Sequence, residues 1–146
     1  MKLLGIAYRQ KPKAPMLTVD SIRVTKESGV VGDARGKPGK RQVTVMSLSQ
    51  WREACDTLSI DLPWTARRAN LLVDDYTFSA ADVGRVITVG TLTLQVCRET
   101  DPCERMEKVQ AGLYDALLNW RGGVCCRVLS SGDLKLGDCV LMNAIS

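Results

Sequence analysis

RVITVGTLTLQVC, residues 85–97, sets Ile87 and Val89 before one glycine and Leu92, Leu94 and Val96 after it, each two residues from the next. A period of two is the mark of a strand with one face buried. A single glycine between two such runs reads as the turn of a β-hairpin. Working outward, GVCCRVL (123–129) reads as a strand, and its neighbouring Cys125 and Cys126 are expected on opposite faces. ANLLV (69–73) looks like a buried strand, QVTVM (42–46) is a strand with Val43 and Val45 sharing a face, and LLGIAY (3–8) is apolar enough for a first strand. MLTVDSIRV (16–24) alternates loosely and fits a second one; Ser131-Gly132-Asp133 reads as a turn, with a last strand beginning from Gly137. Many short strands separated by Gly and Asp turns point to a mainly β barrel or curled sheet, because closure is the usual way to remove exposed edges.

One helix interrupts the pattern. In SLSQWREACDTL (47–58), Ser47 and Gln50 have the spacing of a capping box, and Leu48, Trp51, Cys55 and Leu58 recur on one face. Cys55 is therefore expected in the core. Residues 29–40 hold four glycines and one proline and read as a long loop.

The 146 residues suit one domain with a real core, expected over 1–146, and 45% hydrophobic with 25% charged residues is an ordinary globular balance. No apolar run is long enough for a membrane span. The N-terminal MKLLGIAYRQKPKAPM lacks a cleavage-site pattern, so the expectation is a cytoplasmic protein whose six cysteines are free thiols. A net charge of +4 suits an anionic ligand. The chain has no histidine, which excludes Ser-His-Asp and Cys-His catalysis and His-ligated zinc. GDARGKP is not a phosphate loop, since only three residues lie between its glycines where four are needed and Pro38 stands where a magnesium-binding hydroxyl is needed. Scattered basic residues among three tryptophans and three tyrosines make a weak case for nucleic acid.

TDPCERM (100–106) places a cysteine between charges rather than among apolar neighbours. Asp101 has the chemistry of an N-cap, Pro102 fits the first helical position, and Cys103 would sit in the first turn. Free N–H groups there, with Arg105 nearby, favour a thiolate, while Asp101 and Glu104 oppose it. The alternative is a half-exposed cysteine in a capped turn. Further basic or polar groups stand at strand ends and loops, where sites concentrate: Lys37, Lys40 and Arg41; Arg67, Arg68 and Asn70; and Arg121 before Gly122-Gly123. The paired glycines would permit close backbone approach to an anion.

Taken in order, GDARGKPGKRQVTV, RRANLLV, VGRVITVG, TDPCERM, WRGGVCCRVL and LKLGDCV resemble the MOSC domain, which occurs at the C-terminus of molybdenum cofactor sulfurases and alone in small bacterial proteins. The resemblance is strongest over residues 30–140. It implies a closed or curled barrel similar to the β-barrel domain of pyruvate kinase, with a few short helices. It also implies molybdenum cofactor (molybdopterin) as the bound group. Cys103 stands where the family cysteine is proposed to ligate molybdenum or to carry sulfur as a persulfide, and Arg41, Asn70 and Arg121 stand at other motif positions. Asp33 is expected to join them around one concave site. Family members often carry a histidine where this chain has Arg35, so Arg35 is a candidate anion ligand instead. On this reading the partners are a small-molecule cofactor or substrate and a redox or sulfur-donor protein. The activity would be reduction of N-hydroxylated compounds or sulfur relay. The alternative is a non-enzymatic module that binds a phosphorylated ligand or nucleic acid through the basic loops.

Overall fold

The computed structural model describes residues 1–102 and 104–143. Among them are eleven strands: β1 (Leu3–Tyr8), β2 (Leu17–Thr18), β3 (Ser21–Thr25), β4 (Gly29–Val30), β5 (Val43–Ser47), β6 (Leu71–Val73), β7 (Val86–Val89), β8 (Leu92–Glu99), β9 (Val124–Ser130), β10 (Gly132–Lys135) and β11 (Leu141–Asn143). Three short helices accompany them: α1 (Leu48–Thr57), α2 (Glu104–Val109) and α3 (Leu113–Ala116).

The fold is mainly β, and eight strands form one curled sheet in the order β11-β7-β8-β9-β5-β6-β1-β2. The β7–β8 hairpin forms as its alternation predicts. Ile87, Val89, Leu92, Leu94 and Val96 are buried, and Gly90 supplies the positive φ of the turn. Beyond β11 the curl is bridged. Lys2 pairs with Cys139, Val140 N–H donates to Met1 O at 2.7 Å, and Leu3 N–H donates to Asp138 O at 2.9 Å. A second sheet, β10-β3-β4, adds Val24, Val30 and Leu134 to the same core.

The strands β5 and β6 run parallel, joined through α1, and both of their faces are covered. Val43, Val45, Leu71 and Val73 enter the barrel core. Met46 and Leu72 point the other way, into a second core with Trp51, Cys55, Leu113 and Leu117 from the helices. Double burial explains why these strands read as unbroken apolar runs. The Ser47 hydroxyl caps α1 by accepting from Gln50 N–H at 3.2 Å. The Gln50 amide does not complete a box; it binds the Phe78 backbone, accepting from its N–H at 3.1 Å and donating to its O at 3.2 Å.

Three expectations are corrected. Residues 16–24 form two strands, because the chain turns at Asp20 between pairing with β1 and pairing with β10. Gly132 and Asp133 are not a turn but open β10, where pairing with β3 outweighs their turn chemistry and Asp133 meets Arg23 at 3.1 Å. Gly137 is itself a turn residue at φ +92°, and the last strand starts only at Leu141. The long glycine loop also contains β4. Among the described residues no helix is long and apolar enough to cross a membrane.

Candidate functional site

A cleft of about 830 Å³ opens where β1, β5, β8 and β9 meet the loops. Its volume lies in the range of small-molecule and cofactor sites. Arg9 enters it from the end of β1, Arg35 and Arg41 from the glycine loop, Arg67 and Arg68 from the approach to β6, and Arg105 from α2. Thr44 and Cys125 form part of its lining from the outward faces of β5 and β9, with the Pro12–Met16 loop along one side. Thr100, Asp101, Glu104 and Arg105, which flank Cys103 in sequence, also line it. Cys103 itself, the sequence's candidate thiol, lies outside the described residues.

The arginines divide by how their donors are used. Arg67 is buried and donates from Nε to Gly122 O at 3.2 Å and from Nη2 to Thr100 O at 3.2 Å and Asp101 O at 3.3 Å. It clamps the segment before Cys103 to the start of β9. Arg68 donates from Nη2 to Asp33 Oδ2 at 2.6 Å; their side chains are 13% and 0% exposed. Asp33 Oδ1 also accepts the backbone N–H of Arg9 at 3.2 Å. Arg9 is 8% exposed, and its Nε and that of Arg68 are buried with no hydrogen-bond partner among the described residues. Burial pulls the Arg9 pKa down, helped by the Arg68, Arg35 and Arg105 guanidinium groups and opposed by Asp33. Burial likewise lowers Arg68, with Arg35 adding to the effect, while Asp33 and Cys125 oppose it. Arg35, Arg41 and Arg105 are exposed and form no ion pair among the described residues. A concave wall in which arginines outnumber the Asp101 and Glu104 carboxylates, with the buried Asp33 behind it, is net positive and suits an anion.

The remaining candidates lie elsewhere. Asn70 is fully buried; its Oδ1 accepts from Thr44 N–H at 3.0 Å and its Nδ2 donates to Ala7 O at 3.1 Å, so it ties β5 to β1 behind the cleft. Asn70→Ala strands both backbone groups and is expected to lose about 2 kcal/mol or more of stability in denaturant unfolding. An unchanged midpoint would show that the two strands do not depend on the amide. Arg121 does not line the cleft; its guanidinium meets Glu53 of α1 at 3.0 Å and Ala116 O at 3.4 Å. Gly122 and Gly123 admit protein backbone rather than a ligand: a Cβ on Gly123 would lie 2.2 Å from Val45 O, and one on Gly122 3.1 Å from Thr100 O.

Two cleft residues escaped the sequence reading. Arg9, in YRQKPK, carries no motif. Cys125 was open to discovery, since adjacent strand cysteines face opposite ways: its sulfur lies 3.3 Å from Thr100 Oγ1 in the cleft, while Cys126 is in the barrel core with its pKa raised well above the ordinary value by burial. Cys139, expected in an apolar strand, is exposed because Gly137 delays β11. Cys55 is buried in the helical core as expected. The five described cysteines are all free thiols.

A family profile described as the MOSC domain matches residues 25–141. No curated protein matches the sequence. Among solved structures, the YuaD protein of Bacillus subtilis is similar with a TM-score of 0.79 at 19% identity, covering 95% of this chain and 93% of that one. YiiM of Geobacillus stearothermophilus is similar at TM-score 0.77 and 18% identity over 98% of this chain and 75% of that one. YiiM of Escherichia coli gives 0.71 and 18% over 99% and 70%.

Proposed function

The chain belongs to the MOSC domain family, and from that premise we propose that its arginine cleft holds the molybdenum cofactor and that Cys103 is the working thiol. The observation that carries this reading is the gathering of Arg9, Arg35, Arg41, Arg67, Arg68 and Arg105 on one cleft, where Arg35, Arg41 and Arg105 form no ion pair among the described residues. Cations gathered on one cleft repel one another, and an anionic ligand would relieve that repulsion. The pterin phosphate is such a ligand, and guanidinium groups suit it by presenting planar, paired donors. Arg35, Arg41 and Arg105 have their charge free for it, whereas Arg67 holds the cleft wall in place.

When bound, the cofactor supplies a metal centre that accepts soft sulfur donors. The protein's part is to anchor the phosphate through its arginines and to present the Cys103 thiolate. As a metal ligand, Cys103 would serve a small reductase of N-hydroxylated compounds. As a persulfide carrier, it would relay sulfur received from a donor protein.

The test is purification from a host that makes the cofactor, followed by molybdenum analysis and pterin fluorescence. The wild type is expected to carry both. Arg41→Ala and Arg105→Ala each remove a charge-assisted contact of about 1.5–3 kcal/mol and are expected to weaken retention about tenfold or more. Cys103→Ser is expected to retain the pterin and lose reductase or sulfur-transfer activity. Wild-type protein with neither molybdenum nor pterin, yet binding phosphate, would overturn this reading in favour of a non-enzymatic module.

A further inference from the structure

The cleft is not the end of the basic surface. A groove of about 540 Å³ adjoins it, formed by residues 34–35 and 37–41 with Arg98. Its charged lining is Arg35, Lys37, Lys40, Arg41 and Arg98, and no acidic side chain is among its lining residues. Arg98 is partnered by Asp101. Lys37, Lys40, Arg35 and Arg41 form no ion pair among the described residues. Gly39, at φ +151°, has open space where a side chain would be, so the loop leaves the groove clear.

Arg35 and Arg41 line both the cleft and the groove. The two sites therefore share these two arginines, so one ligand with two anionic groups can engage both. The groove also has no aromatic lining residue. A single-stranded nucleic acid would ask for such a stacking surface.

We propose that the groove is a second phosphoryl subsite, so that cleft and groove together take a diphosphate ester, such as a cofactor lengthened by a nucleotide, rather than a monophosphate. This rests on the cleft being the phosphate site of the proposed function. Lys37 and Lys40 act on the second phosphoryl group only, since neither lines the cleft.

The experiment titrates the cofactor-free full chain with inorganic phosphate and with pyrophosphate at matched ionic strength. Pyrophosphate is expected to bind at least tenfold tighter. The Lys37→Ala/Lys40→Ala variant is expected to bring the two within about threefold while phosphate affinity stays unchanged. A variant that removes equal charge elsewhere, Lys108→Ala/Lys135→Ala, is expected to keep the full preference. Phosphate binding without a pyrophosphate gain overturns the subsite alone, as does loss of the gain in both double variants, which would mark a general charge effect. Absence of binding by either anion overturns the cleft reading with it. A glutamate-rich peptide that binds tighter than pyrophosphate and is lost in Lys37→Ala/Lys40→Ala would make the groove a protein-docking surface and overturn the proposal.

Discussion

Gly123→Ala is expected to leave little folded protein, with a stability loss of about 4 kcal/mol or more. Two effects combine at this position. The residue lies at φ +89°, where a side chain is strained, and its Cβ would sit 2.2 Å from Val45 O and 3.0 Å from Met46 Cα. Both atoms belong to the backbone of β5, which is packed on both faces and cannot yield. Losses above about 4 kcal/mol are rare for a single substitution and need such a cause. Gly90→Ala separates the terms: it shares a positive φ of +61° but has nothing within 4 Å. Strain alone should cost it about 1–2 kcal/mol. Similar unfolding midpoints for the two variants would show that β5 gives way and that the close approach is not decisive.

Asp33→Ala comes second, with an expected loss of about 3–5 kcal/mol in denaturant unfolding. Its side chain is fully buried, with one oxygen on the Arg68 guanidinium and the other on the Arg9 backbone N–H. Removing it leaves Arg68 beside Arg9 and Arg35 with no opposing carboxylate, and both Arg9 and Arg68 are already disfavoured by burial. Adding Arg68→Met to Asp33→Ala should recover much of the loss, since an uncompensated buried charge, not the missing contact, dominates. A loss below about 1 kcal/mol would place the pair in the class of solvent-screened surface bridges.

The fold was legible where local chemistry and tertiary packing agree. The β7–β8 hairpin and α1 carry their periodicity and their turn or cap within a dozen or so residues. β10 was hidden because Ser-Gly-Asp is turn chemistry, and only a distant partner, β3, makes a strand of it. The site was legible as a set of basic residues but not as an arrangement. Arg35, Arg41, Arg67, Arg68 and Arg105 share one cleft. Arg121 has the same local appearance but meets Glu53, and nothing near it in sequence announces that partner. Asn70 looked like a ligand for an anion, yet its amide is spent on two strands. Which donors remain free depends on contacts made across the fold.

The bridge that closes the curl has a consequence for synthesis. Lys2 and Leu3 meet residues 137–140, while the far end of β1 is covered by β2. On the ribosome, Lys2 and Leu3 must therefore wait for residues 137–140 before that strand edge is covered. At about 5–20 residues per second the wait is on the order of ten seconds. Throughout it the nascent chain carries an uncovered strand edge, the kind of surface on which aggregation and chaperone capture act during translation.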